Sequence, residues 1–163
     1  MDIRGKKVVF LSHCILNQNS VVQLLARAKG AYRAIIEEII KRDIGIYQMP
    51  CPECEFLGLK RKSMTYADYA DLEGYRNFCK DLSEKVVQAI KAYLDDGYKV
   101  IGIIGINDSP TCSITGRRGV YMEELFKSLE ENGLSLNTFE VDTGYVEGED
   151  NELGELVKFL DRK

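Results

Sequence analysis

The stretch that most constrains the fold runs Lys99-Val-Ile-Gly-Ile-Ile-Gly-Ile-Asn-Asp-Ser-Pro-Thr-Cys112. Val100 to Ile106 is apolar without alternation, rich in β-branched residues and about one strand long, the pattern of a strand buried on both faces. Such a strand belongs to a parallel sheet between two layers of helices. Gly102 and Gly105 within it predict a close approach by a helix or a ligand. Pro110 cannot extend the ladder, so the chain turns at Ser109-Pro110 and Cys112 stands just past the strand's carboxyl end. In open α/β sheets ligands bind at that edge.

The same arrangement occurs twice earlier. Lys7 to His13 reads as a first strand, followed by a loop that begins at Cys14 and ends at Ser20. Ser20 or Asn19 would cap an amphipathic helix from about Val21 to Arg42, interrupted near Gly30, with Ile35, Ile36, Ile39 and Ile40 on its apolar face. Ile44 to Met49 reads as a second strand, stopped by Pro50-Cys51-Pro52. The two prolines stiffen that loop by fixing φ on either side of the cysteine. Glu55 to Met64 reads as a loop with a basic cluster, Lys60-Arg61-Lys62, whose ordinary reading is a solvated surface.

Thr65 or Ser63 starts a helix through Leu72, and Glu73 to Asp96 continues as a long helical pattern with Leu82, Val86, Val87, Ile90 and Leu94 inward and Gly97 as its stop. After the third strand come a helix from Val120 to Glu131, a fourth strand from Asn137 to Val141 and a closing helix from Asn151 to Leu160. The acidic run from Glu147 to Glu152 reads as a solvated helix start. Strands alternating with helices predict a single α/β domain over residues 1–163, a three-layer α/β/α sandwich on a four-stranded parallel sheet of Rossmann-like or flavodoxin-like type.

Composition narrows the function classes. A formal net charge of −4 gives no support to nucleic-acid binding or to an anionic membrane surface. No run approaches the ~20 apolar residues of a membrane span, and Met1 to Lys7 leads into a strand with no signal-peptide pattern, so the expected location is cytoplasmic. No feature of the sequence specifies an oligomeric state.

Five cysteines, an odd number, argue against a disulfide framework and for metal or catalytic thiols. Cys79 falls on a helix face, but Cys14, Cys51 and Cys112 each follow a strand. In a parallel sheet those three ends share one edge, with neighbouring strands roughly 5 Å apart. Three thiolates suit a soft metal centre with one open position, in zinc, Cu(I) or iron–sulfur chemistry. His13, the one histidine, adjoins Cys14, and in an extended strand the two would face opposite ways.

Other readings use the same residues. Cys51-Pro-Glu-Cys54 is a Cys-x-x-Cys and could be a thiol redox pair. Such a pair wants its first cysteine at a helix N-terminus, and Glu55-Phe-Leu-Gly-Leu-Lys-Arg61 is too short and glycine-broken to predict one. Gly116-Arg117-Arg118-Gly119, ahead of a helix, could hold an anion in a non-catalytic small-ligand module or be an exposed basic turn. Free cysteines are also commonly buried small hydrophobes.

Three blocks together carry a resemblance: Ser12-His-Cys14-Ile-Leu-Asn17, Cys51-Pro-Glu53, and Ser109-Pro-Thr-Cys112. In this order and spacing the chain resembles the thiouracil desulfidase family over about its first two-thirds. The resemblance implies a [4Fe–4S] cluster held by Cys14, Cys51 and Cys112, with the fourth iron open to the sulfur of a small thiolated substrate. It implies non-redox replacement of C=S by C=O, with Glu53 and Ser109 as proton-moving and water-positioning residues and Asp108 behind them. At the first block the chain departs from the family pattern with Asn17-Gln18-Asn19-Ser20, and after the third with Ser113 to Gly119. The resemblance therefore implies cluster ligation more directly than it implies a substrate.

Overall fold

A computed structural model describes residues 1–151 and 153–163. It has four strands, β1 (Lys7–Leu11), β2 (Gly45–Gln48), β3 (Lys99–Ile106) and β4 (Thr138–Val141). Around them lie α1 (His13–Leu16), α2 (Arg33–Ile40), α3 (Pro52–Leu57), α4 (Tyr66–Asp71), α5 (Tyr75–Asp95), α6 (Val120–Glu131) and α7 (Gly154–Leu160). All pairings are parallel, in the order β2-β1-β3-β4. The chain is a three-layer α/β/α sandwich of flavodoxin-like order. β1 leads to one side of the sheet and β3 to the other, so the topological switch point lies between their carboxyl ends.

Both sheet faces are covered. Val8, Phe10 and Ile103 pack beneath α5 and α6, while Val9, Leu11, Ile101 and Ile104 pack against α2 and α7. The register of β1 against β3 shifts between Val8 and Phe10, so that Ile101 and Gly102 together oppose Val9. This bulge keeps Val100 and Ile103 on one face and Ile101 and Ile104 on the other. The close approaches expected at the two glycines are made by the chain itself. A Cβ at Gly102, whose φ is +150°, would stand 2.2 Å from the Asn137 carbonyl oxygen. One at Gly105 would stand 2.6 Å from the Cys112 carbonyl oxygen.

Several elements follow their local signals. Thr65 and Asp68 form the capping box of α4, Gly97 ends α5 with φ +76°, and α6 has the span its apolar period predicts. Gly74, at φ +79°, breaks the expected continuation between α4 and α5.

Elsewhere tertiary contacts override the pattern. The helix expected from Val21 is absent until Arg33: a 3₁₀ turn, Gln18–Ser20, is followed by an irregular excursion through residue 32. Its base is closed by Gln18 N–H on the Gly30 carbonyl at 2.6 Å and Tyr32 N–H on the Ile15 carbonyl at 2.9 Å. These bonds join its ends as in a compact surface loop. The run from Glu147 is not merely solvated, since Glu147 accepts from the Ala34 amide of α2 at 3.1 Å and from the Tyr145 hydroxyl at 2.6 Å. The closing helix begins at Gly154 rather than Asn151, and Glu152 lies outside the described residues. Among the described residues no helix is long and apolar enough to cross a membrane.

Candidate active site

The carboxyl edge of the sheet holds a cavity of about 200 Å³, below the ~300–1,000 Å³ of pockets for drug-sized ligands. Cys14, Cys51 and Cys112 all line it, together with Glu53, Ser109, Asp108 and His13. Each cysteine arrives by its own local device. Cys14 follows β1 in α1, so His13 and Cys14 are successive helical residues. The strand-based expectation that they face opposite ways fails, and both reach the cavity.

Cys51 is the N-cap of α3, its Sγ accepting from the Cys54 amide at 3.4 Å, with Pro52 as the first helical residue. The loop expected after Cys51 is thus a short helix. Cys112 sits where β3 doubles back. Ile106 N–H donates to the Cys112 carbonyl at 3.1 Å, Gly105 leaves room for that carbonyl, and Cys112 N–H donates to Ser109 Oγ at 2.9 Å.

Electrostatics separate the readings of these thiols. Burial pushes Cys14 up to about 12, with Cys51 and Glu53 adding to it. Burial likewise pushes Cys51 to about 11 and Cys112 well above the ordinary thiol range, the latter raised further by Cys14, Cys51 and Glu53. All three cysteines line the one cavity. A thiol–disulfide redox pair needs a depressed pKa at its attacking cysteine. Cys51 has the reverse, helix N-cap notwithstanding. Burial thus favours the neutral thiols, and a bound cation would favour their thiolates.

As the side chains stand, no group of three or more His, Cys, Asp or Glu among the described residues could hold a metal ion. The thiolates on a cubane cluster sit on separate irons, so they span more than the ligands of one ion do, and the donors that line this cavity are three soft cysteine sulfurs. Ser12 Oγ is buried without a hydrogen-bond partner and lies beside Cys112, where its hydroxyl would favour the thiolate.

Glu53, in the first turn of α3, is held from two sides: it accepts a short hydrogen bond from the Tyr69 hydroxyl and pairs with Arg61 Nε at 3.5 Å. Arg61 overturns its reading as part of a solvated cluster. Its side chain is 3% exposed, and it also donates to the Ser20 carbonyl at 2.8 Å and the Gly58 carbonyl at 3.2 Å. Nothing in Lys60-Arg61-Lys62 distinguishes it, because its partners come from two other segments. Ser109 Oγ accepts from the Cys112 and Thr111 amides, which leaves its own proton to donate. Asp108 is exposed at the rim in the left-handed region, φ +58°.

Cys54 and Cys79 do not line the cavity. Neither do Arg117 and Arg118, which stack on Tyr66 and Phe126 at 4.4 and 4.3 Å. The sequence reading missed Arg27 and Tyr32 on the wall because it placed 21–32 in a helix facing the core, and it gave Gln18 no role within the loop from Cys14 to Ser20.

The loop carrying Cys112 has a further anchor in Glu140 of β4, which accepts from the Thr115 hydroxyl and amide, the Ile114 amide and Asn107. Burial alone would raise its pKa, but these donors outweigh burial and hold the carboxyl below its ordinary range. With the folded pKa depressed, this stabilisation is present above the unfolded value of about 4.3 and lost as pH falls through the folded value. Glu140→Gln is expected to flatten the acid limb of the stability curve. The check is a series of urea midpoints from about pH 7 to about pH 3. Equal acid slopes in parent and variant would assign the acid sensitivity to other carboxylates.

No family model and no solved structure matches the chain. A protein of Methanocaldococcus jannaschii described as "Uncharacterized protein MJ0003" is 43% identical over 138 residues, which cover 85% of this chain and 87% of that protein.

Proposed function

We propose that this chain, which belongs to the family of the Methanocaldococcus jannaschii protein MJ0003, is an iron–sulfur desulfidase acting on a small thiocarbonyl compound. The observation that carries the reading is the meeting of Cys14, Cys51 and Cys112, from three strand ends, with Glu53 around one small cavity at the switch point. The three cysteines would hold a [4Fe–4S] cluster as thiolates. When bound, the cluster supplies a soft Lewis acid open to sulfur.

In the net reaction water's oxygen ends on carbon, C=O replaces C=S, and the sulfur leaves as hydrogen sulfide with no change in electron count. Glu53 is placed to accept the proton of the attacking water, because Tyr69 and Arg61 fix its carboxylate beside the sulfurs. Ser109 keeps a hydroxyl proton to donate while its oxygen orders the Cys112 loop. Asp108 stands at the rim, where protons exchange with solvent.

The test is anaerobic reconstitution with iron and sulfide, followed by metal and sulfide analysis and a visible spectrum. The parent, Cys14→Ala, Cys51→Ala, Cys54→Ala and Cys112→Ala are compared. The parent and Cys54→Ala are expected to hold iron and show a broad charge-transfer band, and the other three to lose both. A colourless, iron-free parent overturns the desulfidase reading. Zinc retained through the same three cysteines would replace it with a zinc site.

A further inference from the structure

The two arginines on the cavity wall are in opposite states. Arg61 is spent, its guanidinium shared among Glu53 and the carbonyls of Ser20 and Gly58. Arg27 is half-buried, lines the same cavity and forms no ion pair among the described residues. A cation on a cavity wall that no carboxylate of the chain engages is open to an anionic ligand.

The backbone of Arg27 is nonetheless fixed. Its N–H donates to Gln18 Oε1 at 2.9 Å, and its carbonyl accepts from the Glu147 amide at 2.9 Å. Gln18, itself 2% exposed, donates through Nε2 to the Cys14 carbonyl at 2.8 Å. The arginine is therefore registered against the cysteine that opens the site, and its side chain lies beside the Tyr32 hydroxyl. An irregular loop has been pinned at the residue that carries the charge. A guanidinium carried on such a backbone is suited to receiving a planar carboxylate through two parallel hydrogen bonds.

We infer that Arg27 is the specificity residue of this cavity and that its substrate is a small organic acid, with a carboxylate received by Arg27. As a statement about a thiocarbonyl acid the inference rests on the desulfidase reading, but the anion preference can be measured without iron. The probes are matched acid and amide pairs, acetate with acetamide, benzoate with benzamide and nicotinate with nicotinamide, titrated calorimetrically into the iron-free full-length chain and into the reconstituted protein.

The parent is expected to prefer the acid of at least one pair by about ten- to a hundredfold, the range of a charge-assisted hydrogen bond. Arg27→Gln should abolish the preference and Arg27→Lys retain part of it. Both variants are compared with the parent by thermal midpoint. Because the backbone of Arg27 makes the loop contacts, little change is expected, and if Arg27→Gln does not fold, the preference of Arg27→Lys and its suppression by salt decide the matter.

No acid preference in any pair, absence of binding included, overturns the inference. So does a preference that survives in Arg27→Gln. If instead Arg27→Gln shifts the reduction potential of the reconstituted protein and leaves the acid preference intact, the arginine balances the charge of the metal centre, and the inference fails. A parent that takes up no iron on reconstitution yet still prefers acids would remove the desulfidase reading and leave an anion-binding cavity.

Discussion

Glu53→Gln in the iron-loaded protein is expected to release sulfide about 10²–10⁴-fold more slowly than the parent, the range for loss of a positioned general base, with iron content and visible spectrum unchanged. The substitution preserves shape and an acceptor oxygen for the Tyr69 hydroxyl and for Arg61, and removes the capacity to take a proton together with the charge that pairs with Arg61. The side chain is 13% exposed and its open side faces the cavity. Sulfide release from a thioamide panel, measured beside iron analysis on the same samples, separates the outcomes. Undiminished turnover would exclude Glu53 as the proton carrier. Loss of iron along with turnover would make its role one of shaping the cysteine site.

Arg61→Met is expected to destabilise the fold by about 3–5 kcal/mol, the effect of breaking a buried ion pair from one side. The substitution keeps an unbranched apolar chain of similar reach but strands the Glu53 carboxylate and two carbonyl acceptors. Those acceptors lie in different segments, Ser20 after β1 and Gly58 after α3, so the arginine also ties two walls of the cavity together. Urea unfolding with an unchanged m-value is the measurement. A loss below about 1 kcal/mol, as for a surface pair, would mean that Arg61 is not the clasp its burial indicates.

The two variants probe residues of unequal legibility. Glu53 was readable as a candidate because it lies two positions beyond a cysteine that follows a strand, within a recognisable block. Arg61 was not readable, since a basic triplet on a loop has the same pattern whether its middle member is solvated or drawn inward. The acceptors that draw it inward are 3 and 41 residues away in the chain. Glu140 and Glu147 were hidden for the same reason. Glu140 gathers donors from the loop that follows β3, and Glu147 reaches across the fold to the start of α2.

What the sequence determined by itself was the layered architecture and the edge on which the chemistry sits. Continuous apolar strands and helices of regular apolar period can bury their surfaces in few ways, and a parallel sheet puts every strand's carboxyl end on one side. Cys14, Cys51 and Cys112 were therefore assigned to one edge before any contact was known. Tertiary structure alone decided how that edge is finished. Residues 21–32 have a helical apolar pattern, yet they close into a loop because Gln18 and Tyr32 find backbone partners in Gly30 and Ile15. Cys51 gained a helix because its sulfur could cap one. The two arginines were sorted into one committed and one open because only the first had a carboxylate beside it. Period and propensity act within a few residues, whereas charge compensation and the satisfaction of buried polar groups depend on which distant segments the fold brings together.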